Sequence, residues 1–171
     1  MPNHAHELTF STSRCLALLE PDPIKEIFLS VVNEARQNLQ FEVWAYVVMP
    51  NHVHLLLFPK LEEYDVDVWR RVIKQKSAHK AVSWIRSSMP EVLSEIQFVE
   101  GGRLRTRFWQ DGQGYDRNLT SPEATAASIK YIHMNPVKKG LCERPSEYRW
   151  SSAMEYETGQ MGFLSIDPMP L

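Results

Sequence analysis

Hydrophobic and polar positions along the chain follow two periods, one typical of strands and one typical of helices. Alternation with period two, or short apolar runs, predicts strands at 7–13, 41–48, 52–58 and 103–110. Apolar positions spaced by three and four residues predict helices at 23–39, 64–87 and 124–134. The last helix should end near Asn135, because Pro136 disfavours helical backbone at the residue before it.

The order of these elements is strand, helix, strand, strand, helix, strand, helix, which is close to the split β-α-β pattern of a ferredoxin-like sandwich. We therefore expect an α+β fold in which one antiparallel sheet carries its helices on one face. Strands 41–48 and 52–58 are joined by only three residues, so they should form a hairpin. We expect one domain over residues 1–171, with an irregular C-terminal tail from about 153 to 171.

Length and composition restrict the class of protein. A chain of 171 residues suits one compact domain, and its 43% hydrophobic content is too high for a disordered chain. No stretch reaches the roughly 18 apolar residues of a membrane span, and the first residues lack a signal-peptide core. Cys15 and Cys142 form no CxxC pair, so the simplest interpretation is that both are reduced, incidental thiols of a cytosolic protein. These features predict a soluble cytosolic protein that does not bind membranes.

The charge distribution favours a nucleic-acid partner more than the net charge of −2 does. Every charged residue between Trp69 and Pro90 is basic, whereas acidic residues are concentrated before residue 68 and in the tail. A phosphate-binding face and an ordinary solvated helix face both fit this pattern. The candidates for DNA backbone contact on this helix are Arg70, Arg71, Lys74, Lys76 and Lys80.

Two histidines interrupt the third predicted strand. His52 and His54 are separated by one residue, so in a strand both side chains point to the same face. Imidazole is the commonest protein metal ligand near neutral pH, and such a pair resembles half of a metal site. The alternative is a pair of hydrogen-bonded histidines at the end of a sheet.

The last predicted helix carries a second pair of candidates. Tyr131 and Asn135 are four residues apart and so share a helix face. An amide oxygen suits a hard divalent cation such as Mg²⁺ or Mn²⁺, and a tyrosine hydroxyl beside it is a candidate nucleophile. The alternative is that Tyr131 packs in the core and that Asn135 only ends the helix.

Two motifs and their order resemble those of a known family. The string VMPNHVHLL at residues 48–56, followed by YIHMNPVKKGL at 131–141, resembles the REP-associated tyrosine transposases. These are relatives of the single-strand insertion-sequence transposases in the HUH endonuclease superfamily. Segments 108–110 and 147–152 also resemble the family, so the likeness runs from the first strand to about residue 152.

The resemblance implies an HUH endonuclease fold and a specific chemistry. His52 and His54 would bind the divalent metal, Mg²⁺ or Mn²⁺, and Asn135 would be the third ligand, where insertion-sequence relatives commonly have Gln. Tyr131 would attack a DNA phosphodiester, leaving a 5′-phosphotyrosine and a free 3′-hydroxyl. The partner would be single-stranded DNA with foldback hairpins, and Lys138 and Lys139 would add to the phosphate contacts. The protein would act in the bacterial cytoplasm at the nucleoid, as a monomer or homodimer.

Three alternatives stay open at this point. Tyr115 is a rival nucleophile in a Gly-rich loop, although no candidate metal ligand shares a helix face with it. A domesticated relative would bind hairpin DNA without cutting it. A metallohydrolase would use metal-bound water and would need a nearby base, which the residues around the two motifs do not offer.

Overall fold

A four-stranded antiparallel sheet forms the centre of the protein in the computed structural model, which describes residues 4–112 and 114–169. The four strands are β1 at Ala5–Ser11, β2 at Phe41–Val48, β3 at His52–Pro59 and β6 at Tyr115–Leu119. Their order in the sheet is β2-β3-β1-β6, so β1 lies between β3 and β6 and every neighbouring pair is antiparallel. This is the arrangement expected of a ferredoxin-like sandwich.

The fourth strand of the sheet is not the one that the sequence predicts. The predicted strand at 103–110 is instead split: β5 at Arg103–Thr106 pairs with β4 at Gln97–Glu100 in a separate two-stranded hairpin. Trp109 forms a single bridge with Thr12 beside the main sheet. The edge position is filled by β6, whose first residue, Tyr115, is predicted from the sequence to lie in a Gly-rich loop; only Leu119 of this strand is buried.

Helices pack on both faces of the sheet, which corrects the expectation of a single covered face. The helices are α1 at Asp22–Asn38, α2 at Val66–Ser88, α3 at Leu93–Ile96, α4 at Pro122–Lys138 and α5 at Ala153–Thr158. Leu8, Phe10, Val53 and Leu55 lie in the same buried cluster as residues of α1 and α2. Side chains of the opposite strand face, such as Leu56, pack with Ile129 and Ile132 of α4 in a smaller cluster.

Helix α4 begins at an N-cap and continues through a proline. The Ser121 side chain accepts a hydrogen bond from the Ala124 amide and caps the helix. The helix does not end near Asn135 as predicted, because Pro136 lies in the last turn, where its missing N–H removes few helical bonds. Gly140, with φ of 70°, follows the end of the helix and donates to the Val137 carbonyl.

The C-terminal segment is more ordered than its composition predicts. Residues 153–158, within the tail expected to be irregular, form α5. Farther on, Leu164 is buried, and the Asp167 carboxylate accepts a hydrogen bond from the Val43 amide of β2 at 2.8 Å. This segment therefore covers part of the edge of β2. Along the described chain, no helix has the length and hydrophobicity needed to cross a membrane.

Candidate active site

The sheet face beneath α4 carries a row of polar side chains across three strands. In the strand register, His54 of β3 lies opposite Thr9 of β1, and Thr9 lies opposite Tyr115 of β6. Side chains directly opposite each other in a sheet point to the same face. His52 lies two residues before His54 and shares that face. The predicted pair of imidazoles therefore projects toward α4.

Hydrogen bonds fix the outer nitrogen of each imidazole. His52 Nδ1 donates to Asn51 Oδ1 at 2.7 Å, and His54 Nδ1 is hydrogen-bonded to Thr9 Oγ1 at 2.9 Å. The rings are nearly perpendicular, at 86°, with centroids 5.1 Å apart. Partners on the Nδ1 side are how proteins orient histidines that use Nε2 as a ligand atom.

The inner nitrogens of both histidines face one side chain of α4. His52 Nε2 is 3.4 Å from Asn135 Oδ1, and the Asn135 amide donates to His54 Nε2 at 3.2 Å. With Nδ1 donating to Asn51, Nε2 of a neutral His52 holds a lone pair that faces another lone pair on Asn135 Oδ1. Two acceptor atoms in this relation favour a cation between them.

Tyr131 lies one helical turn before Asn135 and contacts the same site. Its ring meets His54 edge-on, with centroids 5.4 Å apart and planes at 90°. The side chain is 45% exposed, so it is not held in the hydrophobic interior. The Lys138 ammonium lies 4.9 Å from the centre of the Tyr131 ring, where it places a positive charge beside the phenol.

Burial keeps both histidines neutral. Burial, with a smaller contribution from the neighbouring His52, lowers the pKa of His54 to about 4. The pKa of His52 is also lowered, first by burial and more weakly by the positive charge of Lys139, although the hydrogen bond that a protonated His52 would donate to Asn135 opposes the shift. Neutral imidazoles are the form that binds metal ions.

Glu7 is a buried carboxylate at this site that the sequence reasoning missed. It is 4% exposed, and Glu7 Oε1 lies 3.8 Å from His54 Nδ1 while Oε2 accepts a hydrogen bond from Ser128 of α4 at 2.9 Å. The signal was the alternation of β1, in which Glu7 and Thr9 face away from Leu8 and Phe10. The residues around the two motifs in the sequence offer no such carboxylate. The structure brings one to the site from a distant strand, so the expectation that no base lies near the site is wrong.

The predicted DNA-contacting residues fall into two groups. Lys138 and Lys139 lie at the end of α4 beside the site, whereas α2 and its basic residues pack on the opposite face of the sheet. Most of the α2 group also has partners: Arg70 is buried and paired with Asp67, Lys74 donates to the carbonyls of Gln110 and Gly112, and Lys76 and Lys80 pair with Glu34. Arg71 is exposed.

Histidine, cysteine and carboxylate side chains do not complete a metal site by themselves. Within residues 4–112 and 114–169, no three side chains of His, Cys, Asp or Glu are grouped so that they could hold a metal ion. A site built on His52 and His54 therefore depends on the amide oxygen of Asn135.

Comparison with known proteins identifies the family. The family model for IS200-like transposases matches residues 1–135, a range that contains the histidine pair, Tyr131 and Asn135. The chain belongs to the IS200-like transposase family. This membership supports a role in transposition and DNA binding.

Individual relatives of this transposase agree with the resemblance read from its motifs. It is 24% identical, over 164 residues, to a protein of Haemophilus influenzae named "Putative REP-associated tyrosine transposase", covering 89% of this chain and 85% of that one. A solved REP-associated tyrosine transposase bound to a REP hairpin superposes with a TM-score of 0.71 at 16% identity, covering 100% of this chain and 95% of the other. A transposase-like structure from Deinococcus radiodurans gives a TM-score of 0.52 at 21% identity, covering 79% and 92%.

These likenesses confirm the predicted family resemblance and the fold of this transposase. The roles assigned to His52, His54, Asn135, Tyr131 and the basic residues stay predictions. One assignment changes: Tyr115 lies not in a flexible loop but on β6, on the face of the sheet that holds His54.

Proposed function

We propose that this transposase is a metal-dependent single-strand DNA endonuclease and strand transferase that cuts hairpin-bearing DNA through a 5′-phosphotyrosine intermediate. Tyr131 is the nucleophile, and His52, His54 and Asn135 are the protein ligands of a divalent cation, Mg²⁺ or Mn²⁺. The observation that carries the proposal is the convergence of both Nε2 atoms on Asn135, one helical turn from an exposed Tyr131 that contacts His54.

The donor atoms fit a small divalent cation. Adjacent ligand atoms around an octahedral ion with bonds near 2.1 Å are about 3 Å apart. Asn135 Oδ1 lies 3.4 Å from His52 Nε2, close to that spacing, whereas Asn135 Nδ2 donates to His54 Nε2 at 3.2 Å and would turn away when this nitrogen binds a cation. Imidazole nitrogen with amide oxygen is a donor set compatible with Mn²⁺ and with Mg²⁺ assisted by water.

The residues of the chain position the reacting groups. A bound divalent cation supplies neutralisation of the charge that develops on a phosphate oxygen during attack. Tyr131 loses its proton to solvent, its oxygen forms a bond to phosphorus, and the bond from phosphorus to the 3′ oxygen breaks. The departing 3′ oxygen takes up a proton, and the phosphotyrosine keeps the bond energy, so rejoining needs no ATP. The Lys138 ammonium beside the ring adds positive charge next to the phosphate that Tyr131 attacks.

The proposed substrate follows from the comparisons. The structural relative was solved with a REP hairpin, which supports hairpin DNA as the partner of this chain too. Lys138 and Lys139 at the end of α4 supply charge for phosphate contact near the nucleophile.

A covalent-adduct assay tests the chemistry. Purified protein is incubated with 5′- or 3′-labelled hairpin DNA carrying single-stranded flanks and Mn²⁺, then separated on a denaturing gel. We expect a protein–DNA adduct that carries the label of the 3′-labelled DNA and not that of the 5′-labelled DNA, because the protein is joined to the 5′ phosphate of the downstream fragment. The adduct should be absent with EDTA. Tyr131→Phe should abolish the adduct, because it removes only the attacking oxygen.

Matched variants separate the alternatives. Tyr115→Phe should form the adduct, since Tyr115 is not the nucleophile in this mechanism. His52→Ala should reduce cleavage far more than DNA binding. Cleavage that survives Tyr131→Phe would indicate a metallohydrolase, and hairpin binding without any adduct in Mg²⁺ or Mn²⁺ would indicate a binding protein; either result refutes the proposal.

A further inference from the structure

A cleft lies beside the candidate nucleophile on the side away from His52. Its volume is about 430 Å³, within the range of sites that hold small ligands. Tyr131 of α4 and His54 of β3 form one wall, and Tyr115 and Arg117 of the edge strand β6 form the other. The cleft therefore begins at the atoms to which the chemistry is assigned and extends to the edge of the sheet.

The strand register aims two β6 side chains into this cleft. Tyr115 lies opposite Thr9, and Arg117 lies opposite Glu7, so both share the face of the sheet that carries His54. The residue between them, Asp116, points to the other face and pairs with the buried His6 at 3.3 Å. This pair on the far face holds the two side chains toward the cleft.

Both side chains are available to a ligand. Tyr115 is 56% exposed and Arg117 is exposed, and across the described residues neither forms a side-chain hydrogen bond, an ion pair or a ring contact. Arg117 is not neutralised by the opposing Glu7, whose carboxylate instead faces Ser128 and His54. A free guanidinium and a free aromatic face, two residues apart on one strand, are the groups that proteins use for phosphate and for unpaired bases.

Gly114 fixes the start of this strand against β1. Its φ is 74°, and a Cβ at this position would lie 2.3 Å from the Thr9 carbonyl oxygen. Only glycine lets the chain approach β1 so closely. Tyr115 is consequently held in register rather than carried on a free loop.

We propose that Tyr115 and Arg117 form a subsite for one nucleotide of single-stranded DNA adjacent to the phosphate that Tyr131 attacks. The base stacks on the Tyr115 ring, and Arg117 pairs with the phosphate of that nucleotide. The position of the attacked phosphate rests on the proposed function, whereas the binding of a single-strand nucleotide by β6 rests on the cleft alone. The subsite reads an unpaired flank, not the duplex stem, because stacking needs a base that is free of its partner.

Binding of a single strand tests the subsite without chemistry. The probe is fluorescein-labelled ten-residue oligothymidylate in EDTA, measured by fluorescence anisotropy. We expect Tyr115→Ala to weaken binding by about tenfold and Tyr115→Phe by less than about twofold, since the stacking surface is retained in phenylalanine. Arg117→Gln should weaken binding and reduce the slope of log affinity against log salt by about 0.7.

Two controls make the result specific. Arg86→Gln removes an arginine from the last turn of α2, on the other side of the sheet, and should bind like the wild type. A series of probes with one 2-aminopurine at successive positions should show stacking as quenched fluorescence, with Tyr115→Ala restoring the emission. Thermal unfolding of each variant verifies that the fold is retained.

Each outcome decides the subsite. It is refuted if the wild type does not bind the probe, if Tyr115→Ala and Arg117→Gln bind normally, or if Arg86→Gln loses as much affinity. It is also refuted if Tyr115→Phe, rather than Tyr131→Phe, abolishes the covalent adduct, because Tyr115 would then be the nucleophile. Absence of any adduct from the wild type counts against the proposed function alone, since oligothymidylate binding is measured without cleavage.

Discussion

Replacing Glu7 by Gln should separate metal binding from folding, with effects of opposite sign. The carboxylate is buried behind His54, 3.8 Å from its Nδ1, and holds the Ser128 hydroxyl. A glutamine has nearly the same shape and can still accept from Ser128. The change therefore removes charge from behind a proposed metal ligand and leaves the packing in place.

The magnitude follows from the distance and the burial. A full positive charge at His54 Nδ1 would interact with this carboxylate by about 4 kcal/mol at an effective dielectric constant of 20, which sets a ceiling. Outer carboxylates behind metal-bound histidines typically contribute about 10- to 100-fold in affinity, or about 1.4–2.7 kcal/mol. Without metal, the same variant no longer buries a carboxylate, so its stability should be equal to or above that of the wild type.

Thermal and chemical unfolding with and without Mn²⁺ measure both effects. At a Mn²⁺ concentration 100 times the wild-type dissociation constant, the wild type should gain about 2.7 kcal/mol of unfolding free energy. Glu7→Gln should gain about 1.4 kcal/mol if its affinity is tenfold lower, and about 0.4 kcal/mol if it is 100-fold lower. The matched control is Glu62→Gln, an exposed acid in the connection between β3 and α2, which should behave like the wild type in both conditions.

The reverse pattern would refute the reasoning. If Glu7→Gln lowered the stability of the metal-free protein and left the Mn²⁺-dependent gain unchanged, the carboxylate would be a structural partner of Ser128 and not a support for His54.

Three further changes have defined outcomes. Gly114→Ala should destabilise the protein and weaken oligothymidylate binding, because the new Cβ would collide with the Thr9 carbonyl; normal binding and stability would show that β6 adapts easily. Burial lowers the pKa of His133, which is hydrogen-bonded to Ser152, to about 4, whereas the unfolded pKa is about 6.5. Stability should therefore fall by up to about 3 kcal/mol as the pH falls from 6.5 to 4, and His133→Gln should flatten this part of a urea-denaturation profile; an unchanged profile would exclude His133 as the cause. Ser121→Ala should cost about 1 kcal/mol through loss of the α4 cap without changing Mn²⁺ affinity, as measured by the same unfolding curves.

Strong periodic signals in the sequence located most of the fold. The aliphatic run around His52 and His54 predicts β3 correctly, and the alternation within it places both imidazoles on one face. The spacing of Tyr131 and Asn135 predicts their common helix face, and the structure brings that face to the histidines. These signals are strong because each segment has a buried side and an exposed side.

The misassigned segments lack that contrast. Strand β6 buries only Leu119, so its pattern does not differ from that of a polar loop. Residues 103–106 form a strand as predicted, but it is shorter than expected, and all four are exposed in a separate hairpin and not part of the main sheet. Glu7 reads as one of many acids near the N-terminus, because its pairing with Ser128 spans 121 positions in the chain. Contacts of that kind depend on tertiary packing, which local periodicity does not contain.

The sheet divides the apolar interior into two unequal parts. The larger, between the sheet and helices α1 and α2, contains most of the buried aromatic residues, whereas the smaller lies beneath α4 beside the histidines. Substitutions on the α4 side can accordingly alter the proposed ligands, nucleophile and nucleotide contacts while the scaffold on the far side stays intact. Such an arrangement gives descendants of this chain room to exchange the proposed cleavage for simple DNA binding, or the reverse, without first evolving a new fold.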